Sequence, residues 1–193
     1  MGEIKSSWEI AREKVEKLGK LSPEEQRKQR EDRCHPIGKS LAERYLSEHT
    51  AKFLEKELNK YDNEDKELIR QITLHHLIED IDLNKSFMLD RIAQGILNLA
   101  ETEEIAKTIN KIKEISSEYN KAERVERQNI ERDGREILHQ QRISGTAISK
   151  FNIRAKEEWR IRLDKIAHPF KENLDNLKRE LLDSTISASG ISS

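Results

Sequence analysis

Residues 102–142 read TEEIAKTINKIKEISSEYNKAERVERQNIERDGREILHQQR, a run without proline and with one glycine, Gly134. Within it Ile105, Ile109, Ile112, Ser116 and Tyr119 recur at alternating spacings of four and three. Two apolar positions in every seven keep one stripe of a helix turned toward a neighbouring helix, so this stretch predicts one long helix with a heptad seam. Thr102 occupies the N-cap position, and Ser144-Gly145-Thr146 reads as the far end. The seam then passes through Glu123, Glu126, Ile130, Asp133 and Ile137, so its second half is wet and poor, with Val125 and Leu138 shifting the stripe slightly. An exposed helix depends on the packing of its apolar face. This one therefore needs a partner.

A matching stripe lies at the C-terminal end. Leu163, Ala167, Phe170, Leu174, Leu177 and Leu181 keep heptad spacing across Pro169, where a kink or restart is expected. Pairing this helix antiparallel with the long one, as a helical hairpin, would bury both stripes. Between Ile37 and Leu99 apolar residues are dense enough for a bundle core. Ile37, Leu41, Tyr45, Leu54, Leu58 and Tyr61 form one pattern, and Leu68 to Ile81 a second. Leu83, Phe87, Met88, Ile92, Ile96 and Leu99 continue it. Asp62 to Asp65 reads as a capped start, and Asp80 to Asn84 as a break. Upstream, Trp8, Ala11, Val15 and Leu18 share a helical face. Ser22-Pro23-Glu24-Glu25 supplies a capping box with proline at the first helical position. Glu24 to Arg33 has no apolar residue, and Pro36 predicts an end after Cys34-His35.

The fold class expected is all-α: a helical bundle with a long coiled-coil-like helix and a C-terminal antiparallel helix, assembled as a dimer. The divisions are N-terminal helices and connector (1–36), a helical body (37–100), a hairpin arm (101–183) and a disordered tail (184–193).

Composition agrees with this picture. Only 34% of the 193 residues are apolar and 38% are charged, against roughly 45–50% and a quarter in ordinary domains. Helices that need a stripe rather than an apolar volume have this balance. The net charge of −1 gives no global argument for nucleic acid. A single cysteine, Cys34, excludes an intrachain disulfide and a thiolate metal cluster, so a reducing, cytoplasmic setting is expected. No stretch approaches the length of a membrane span. No phosphate-binding glycine loop or nucleophile elbow occurs.

The strongest chemical constellation is His75-His76-Leu77-Ile78-Glu79-Asp80. On a helix His75 and Glu79, and His76 and Asp80, are four apart and share faces. Imidazole and carboxylate so placed can ligate a metal, or a carboxylate can orient a basic histidine. The commoner reading is a half-buried histidine bonded to its own helix. Cys34-His35 suits an inert thiol better than an activated one. A basic, aromatic segment is the candidate for nucleic acid, since cations and rings together could hold phosphates and stack bases. It contains Lys150, Arg154, Lys156, Arg160, Arg162, Lys165 and Lys171, interleaved with Phe151, Trp159 and Phe170.

Three functions follow in order. The first is a self-associating scaffold or protein-interaction module, homodimeric through Ile105, Ile109, Ile112 and Tyr119 on one element and Phe170, Leu174, Leu177 and Leu181 on the other, with no cofactor. The second is a nucleic-acid-associated regulator using residues 150–171. The third is a metal-dependent or acid–base enzyme using His75, His76, Glu79 and Asp80.

Overall fold

The computed structural model describes residues 22–48, 51–100, 102–142 and 156–188. Among these residues six α-helices and one 3-10 turn form a bundle, and no strand occurs. The helices are α1 (Pro23–Glu48), α2 (Ala51–Leu58), α3 (Asn63–Glu79), α4 (Ser86–Leu99), α5 (Glu103–Gln140) and α6 (Glu157–Ala188), and the turn is Leu83–Lys85. The expected helix around Trp8 to Leu18, residues 143–155 and residues 189–193 lie outside the described residues.

α1 starts as its sequence implies. The Ser22 hydroxyl accepts from the Glu25 N–H at 3.2 Å, and the Glu25 carboxylate accepts from the Ser22 N–H at 2.8 Å, the reciprocal capping box. It does not stop at Pro36 but runs through it to Glu48. Pro36 and Asp32 are exposed, so the Asp32 carbonyl deprived of its N–H partner can turn to water. The apolar-free lead is tied to α3 by Arg30, which pairs with Glu64 and Asp65, and by Arg33, 2.5 Å from Asp65. α1 also lies close against α3. A Cβ on Gly38 would stand 2.6 Å from Ile72 Cγ2, so the absent side chain sets the approach.

α3 follows Asp62, whose extended backbone fits an N-cap although its side chain makes no cap bond. The break after it is present: the Asp82 carboxylate accepts from the Asn84 N–H at 2.7 Å and opens the 3-10 turn. α4 packs its stripe of Leu89, Ile92, Ala93, Ile96 and Leu99 into the core. Phe87 departs from the expected core and leaves 82% of its surface to solvent. At about 100° per residue it falls half a turn from that stripe.

α5 is capped by the Thr102 hydroxyl, which accepts from the Ile105 N–H at 3.2 Å. It closes before Ser144, with Gln141 at the C-cap and Arg142 in the left-handed region at φ 58°, where glycine or asparagine is the usual choice. α6 runs back along α5. Tyr119 meets Phe170 edge-on at 5.7 Å, Arg162 reaches Glu126 and Asp133, and Glu180 reaches Thr108 and Lys111. These pairs fix an antiparallel register, which sets buried Trp159 opposite buried Ile130. Pro169 lies within α6 on an exposed face, so Ala167 and Leu174 on either side still bury together. α6 continues to Ala188, so residues 184–188, expected in the tail, are helical. There Ser184 and Thr185 donate to the Glu180 and Leu182 carbonyls, and Thr185 is buried. One apolar core runs from Cys34 in α1 to Leu181 in α6.

Candidate functional site

The last two turns of α3 carry the histidines. His75 and His76 each bring Nδ1 to 3.4 Å from the same Glu79 oxygen. The pair expected between His76 and Asp80 is not formed. α3 ends at Glu79, so Asp80 is its C-cap and turns to Lys85, whose Nζ donates to Oδ1 at 2.8 Å. Across the α1–α3 groove the His35 ring meets His76 edge-on at 5.4 Å. A cleft of about 280 Å³ opens beside them, lined by Lys39, Ala42, Glu43, Leu46, His76, Glu79 and Asp80.

The His76 side chain keeps only 21% of its surface exposed, and its Nε2 is buried without a hydrogen-bond partner. Burial pushes its pKa below the ordinary histidine value; the Glu79 carboxylate opposes that shift, while His35, His75 and Lys39 reinforce it. A neutral ring with its proton on Nδ1 toward Glu79 fits both facts. A general base needs a free nitrogen within reach of substrate. Here one nitrogen faces Glu79 and the other is sealed in protein. Among the described residues no three or more histidine, cysteine or acidic side chains are placed to hold a metal ion.

Lys178 of α6 completes this end of α3. Its Nζ donates to the Glu79 carbonyl at 2.8 Å, filling one of the orphan acceptors of a helix C-terminus. Burial lowers its pKa, against the opposing pull of Asp175, Asp82, Glu79 and Asp80. Cys34 is fully buried, and burial, with the Asp65 charge, raises its thiol pKa against the opposing influence of Arg33 and Arg30. A thiol so placed is a core residue rather than a nucleophile.

The basic segment is only partly within view, since Lys150, Phe151 and Arg154 lie outside the described residues. Lys156 sits over the Trp159 ring at 5.0 Å, and Arg160 pairs with Glu157 at 2.5 Å. Arg162 is clamped between Glu126 at 2.5 Å and Asp133 at 2.7 Å. Lys165 and Lys171 are exposed. Trp159 is buried and Phe170 packs on Tyr119, so neither ring stands open to a base.

The apolar stripes are used inside one chain. Ile105, Ile109, Ile112, Tyr119, Leu174 and Leu181 are buried, and Phe170 and Leu177 are half-buried against the same core. Where the α5 seam turns polar, Arg162 supplies the missing partner.

A second opening, of about 590 Å³, lies between the first turn of α4 and residues 113–124 of α5. Phe87 stands at its edge. The sequence carried a signal for this residue, its position off the α4 stripe, but local apolar density pointed the other way. No helix among the described residues is long and apolar enough to cross a membrane. No protein-family model matches the chain, and neither the curated proteins nor the solved structures compared with it include a match.

Proposed function

We propose that the chain is a non-catalytic helical scaffold that works through protein–protein contact, with the α5–α6 hairpin as a projection from the helical body. The observation that supports this reading is the closure of the long seam by side chains of the same chain. α5 has 38 residues and spans about 57 Å at 1.5 Å per residue. Such an element gives reach and outward-facing charged surface. The cleft beside His76, by contrast, has its central imidazole closed on both nitrogens.

The homodimer expected through Ile105, Ile109, Ile112, Tyr119, Phe170, Leu174, Leu177 and Leu181 is reachable by exchanging α6 between two copies, since the same contacts would form. The connection from Gln140 to Glu157 keeps α6 near its own α5 at an effective concentration on the order of millimolar. Pairing within the chain is therefore favoured at micromolar protein.

Size-exclusion chromatography with light scattering, run from micromolar upward, is the test of assembly. A particle of 22.6 kDa is expected; a stable dimer at micromolar concentration would place the seam between copies. Elemental analysis of protein purified without chelator tests the chemistry. One metal ion per chain, lost on His76→Gln substitution, would overturn the non-catalytic reading.

A further inference from the structure

The opening between α4 and α5 has two unlike walls. On the α4 side Phe87 is the most exposed large apolar residue among those described, and Leu89 beneath it is buried at the floor. On the α5 side Lys113, Ser117, Asn120, Lys121 and Arg124 project from three successive turns, a track of about 16 Å. Lys113 is neutralised by Asp90, Nζ to Oδ1 at 2.7 Å. Lys121 and Arg124 are exposed and form no ion pair among the described residues.

The groove thus pairs an unpartnered ring with two cations at its far end, and its only acidic side chain is already engaged. Its complement carries carboxylates beside an apolar side chain. Two free cations are too few to follow a phosphate backbone, whose affinity grows with each phosphate neutralised. They suit a short acidic stretch, where paired charges set orientation and an apolar anchor supplies most of the affinity.

We propose that this groove docks an acidic segment of a partner protein, with its carboxylates on Lys121 and Arg124 and an apolar side chain against Phe87. The assignment rests on the interaction-module reading above and names its partner chemistry. All three residues are exposed, so their replacement leaves the core unchanged.

The experiment pans a random twelve-residue peptide library against the immobilised full chain, then measures fluorescence anisotropy with the enriched peptides. Phe87→Ala and the double variant Lys121→Glu/Arg124→Glu serve as comparisons. Enriched sequences should combine Asp or Glu with Leu, Phe or Trp, and should bind each variant about tenfold or more weakly. Enriched peptides that bind both variants as tightly as the parent overturn the groove assignment and leave the interaction reading standing. No enrichment over a blank surface overturns both. Preferential binding of a mixed-sequence single-stranded oligonucleotide, lost in the double variant, would give the groove to nucleic acid and overturn the proposal.

Discussion

Gly95→Ala should destabilise the fold even though alanine is the better helix former. Intrinsic propensity alone favours the change by about 1 kcal/mol within a helix. Gly95 lies inside α4, however, where α1 and α3 press on it. A Cβ there would stand 2.6 Å from Tyr45 Cε1, 3.0 Å from Leu77 Cδ1 and 3.2 Å from Tyr45 Cζ. Carbon atoms rest about 3.5–4.0 Å apart, so the ring must retreat by roughly 1 Å. Tyr45 is fully buried, and its hydroxyl donates to the Arg91 carbonyl at 3.0 Å. Retreat stretches that bond, worth about 1 kcal/mol. Overpacking adds about 1–3 kcal/mol. With propensity subtracted, the net loss is about 2 kcal/mol. For a chain of this size that lowers the melting midpoint by roughly 4–8 °C. Urea unfolding followed by far-ultraviolet circular dichroism measures it, with exposed Gln94→Ala as a control expected near zero. Equal or greater stability of Gly95→Ala would refute the close approach of α1 and α4.

The histidine groove sets a pH dependence. His76 has a folded-state pKa below its unfolded value, so the unfolded chain takes up the proton first. Its contribution is present above about pH 6.5 and is lost as pH falls through the lower folded value. His76→Leu should flatten stability between pH 7 and 5, and an unchanged slope there would remove the residue from the account. Glu67, whose pKa is lowered chiefly by its hydrogen bond from Arg70, acts further down, below the ordinary carboxylate range. Arg162→Ala should loosen the outer arm selectively. Its guanidinium is 36% exposed, so the loss is discounted to about 1 kcal/mol. Hydrogen exchange should accelerate in the second half of α5 while α3 and α4 stay protected; uniform acceleration would show that the clamp is not local.

Most helix positions are legible from residues a few places apart, because helical period and capping are local properties. The Ser22 box, the Thr102 cap, the break at Asp80 to Asn84 and the seam from Ile105 to Tyr119 all belong to this class. The prolines mislead for the same reason. Pro36 and Pro169 forbid a hydrogen bond, but whether a helix survives depends on whether the orphaned carbonyl meets water or core. The candidate chemistry divides similarly. That His75 and His76 share a helix with Glu79 is plain in the spacing, whereas the sealing of His76 Nε2 comes from α1 lying across it.

Which stripe covers which is a tertiary matter. Periodicity specifies that an apolar face must be buried, and is indifferent to whether the cover comes from the same chain or another copy. In the structure the antiparallel register of α5 and α6 lets each stripe cover the other, through partners such as Tyr119 with Phe170 and Arg162 with Glu126 that stand far apart along the backbone. The same holds for Phe87, whose neighbours in sequence are core residues. It stands exposed at the edge of the opening between α4 and α5, and only the assembled packing decides that.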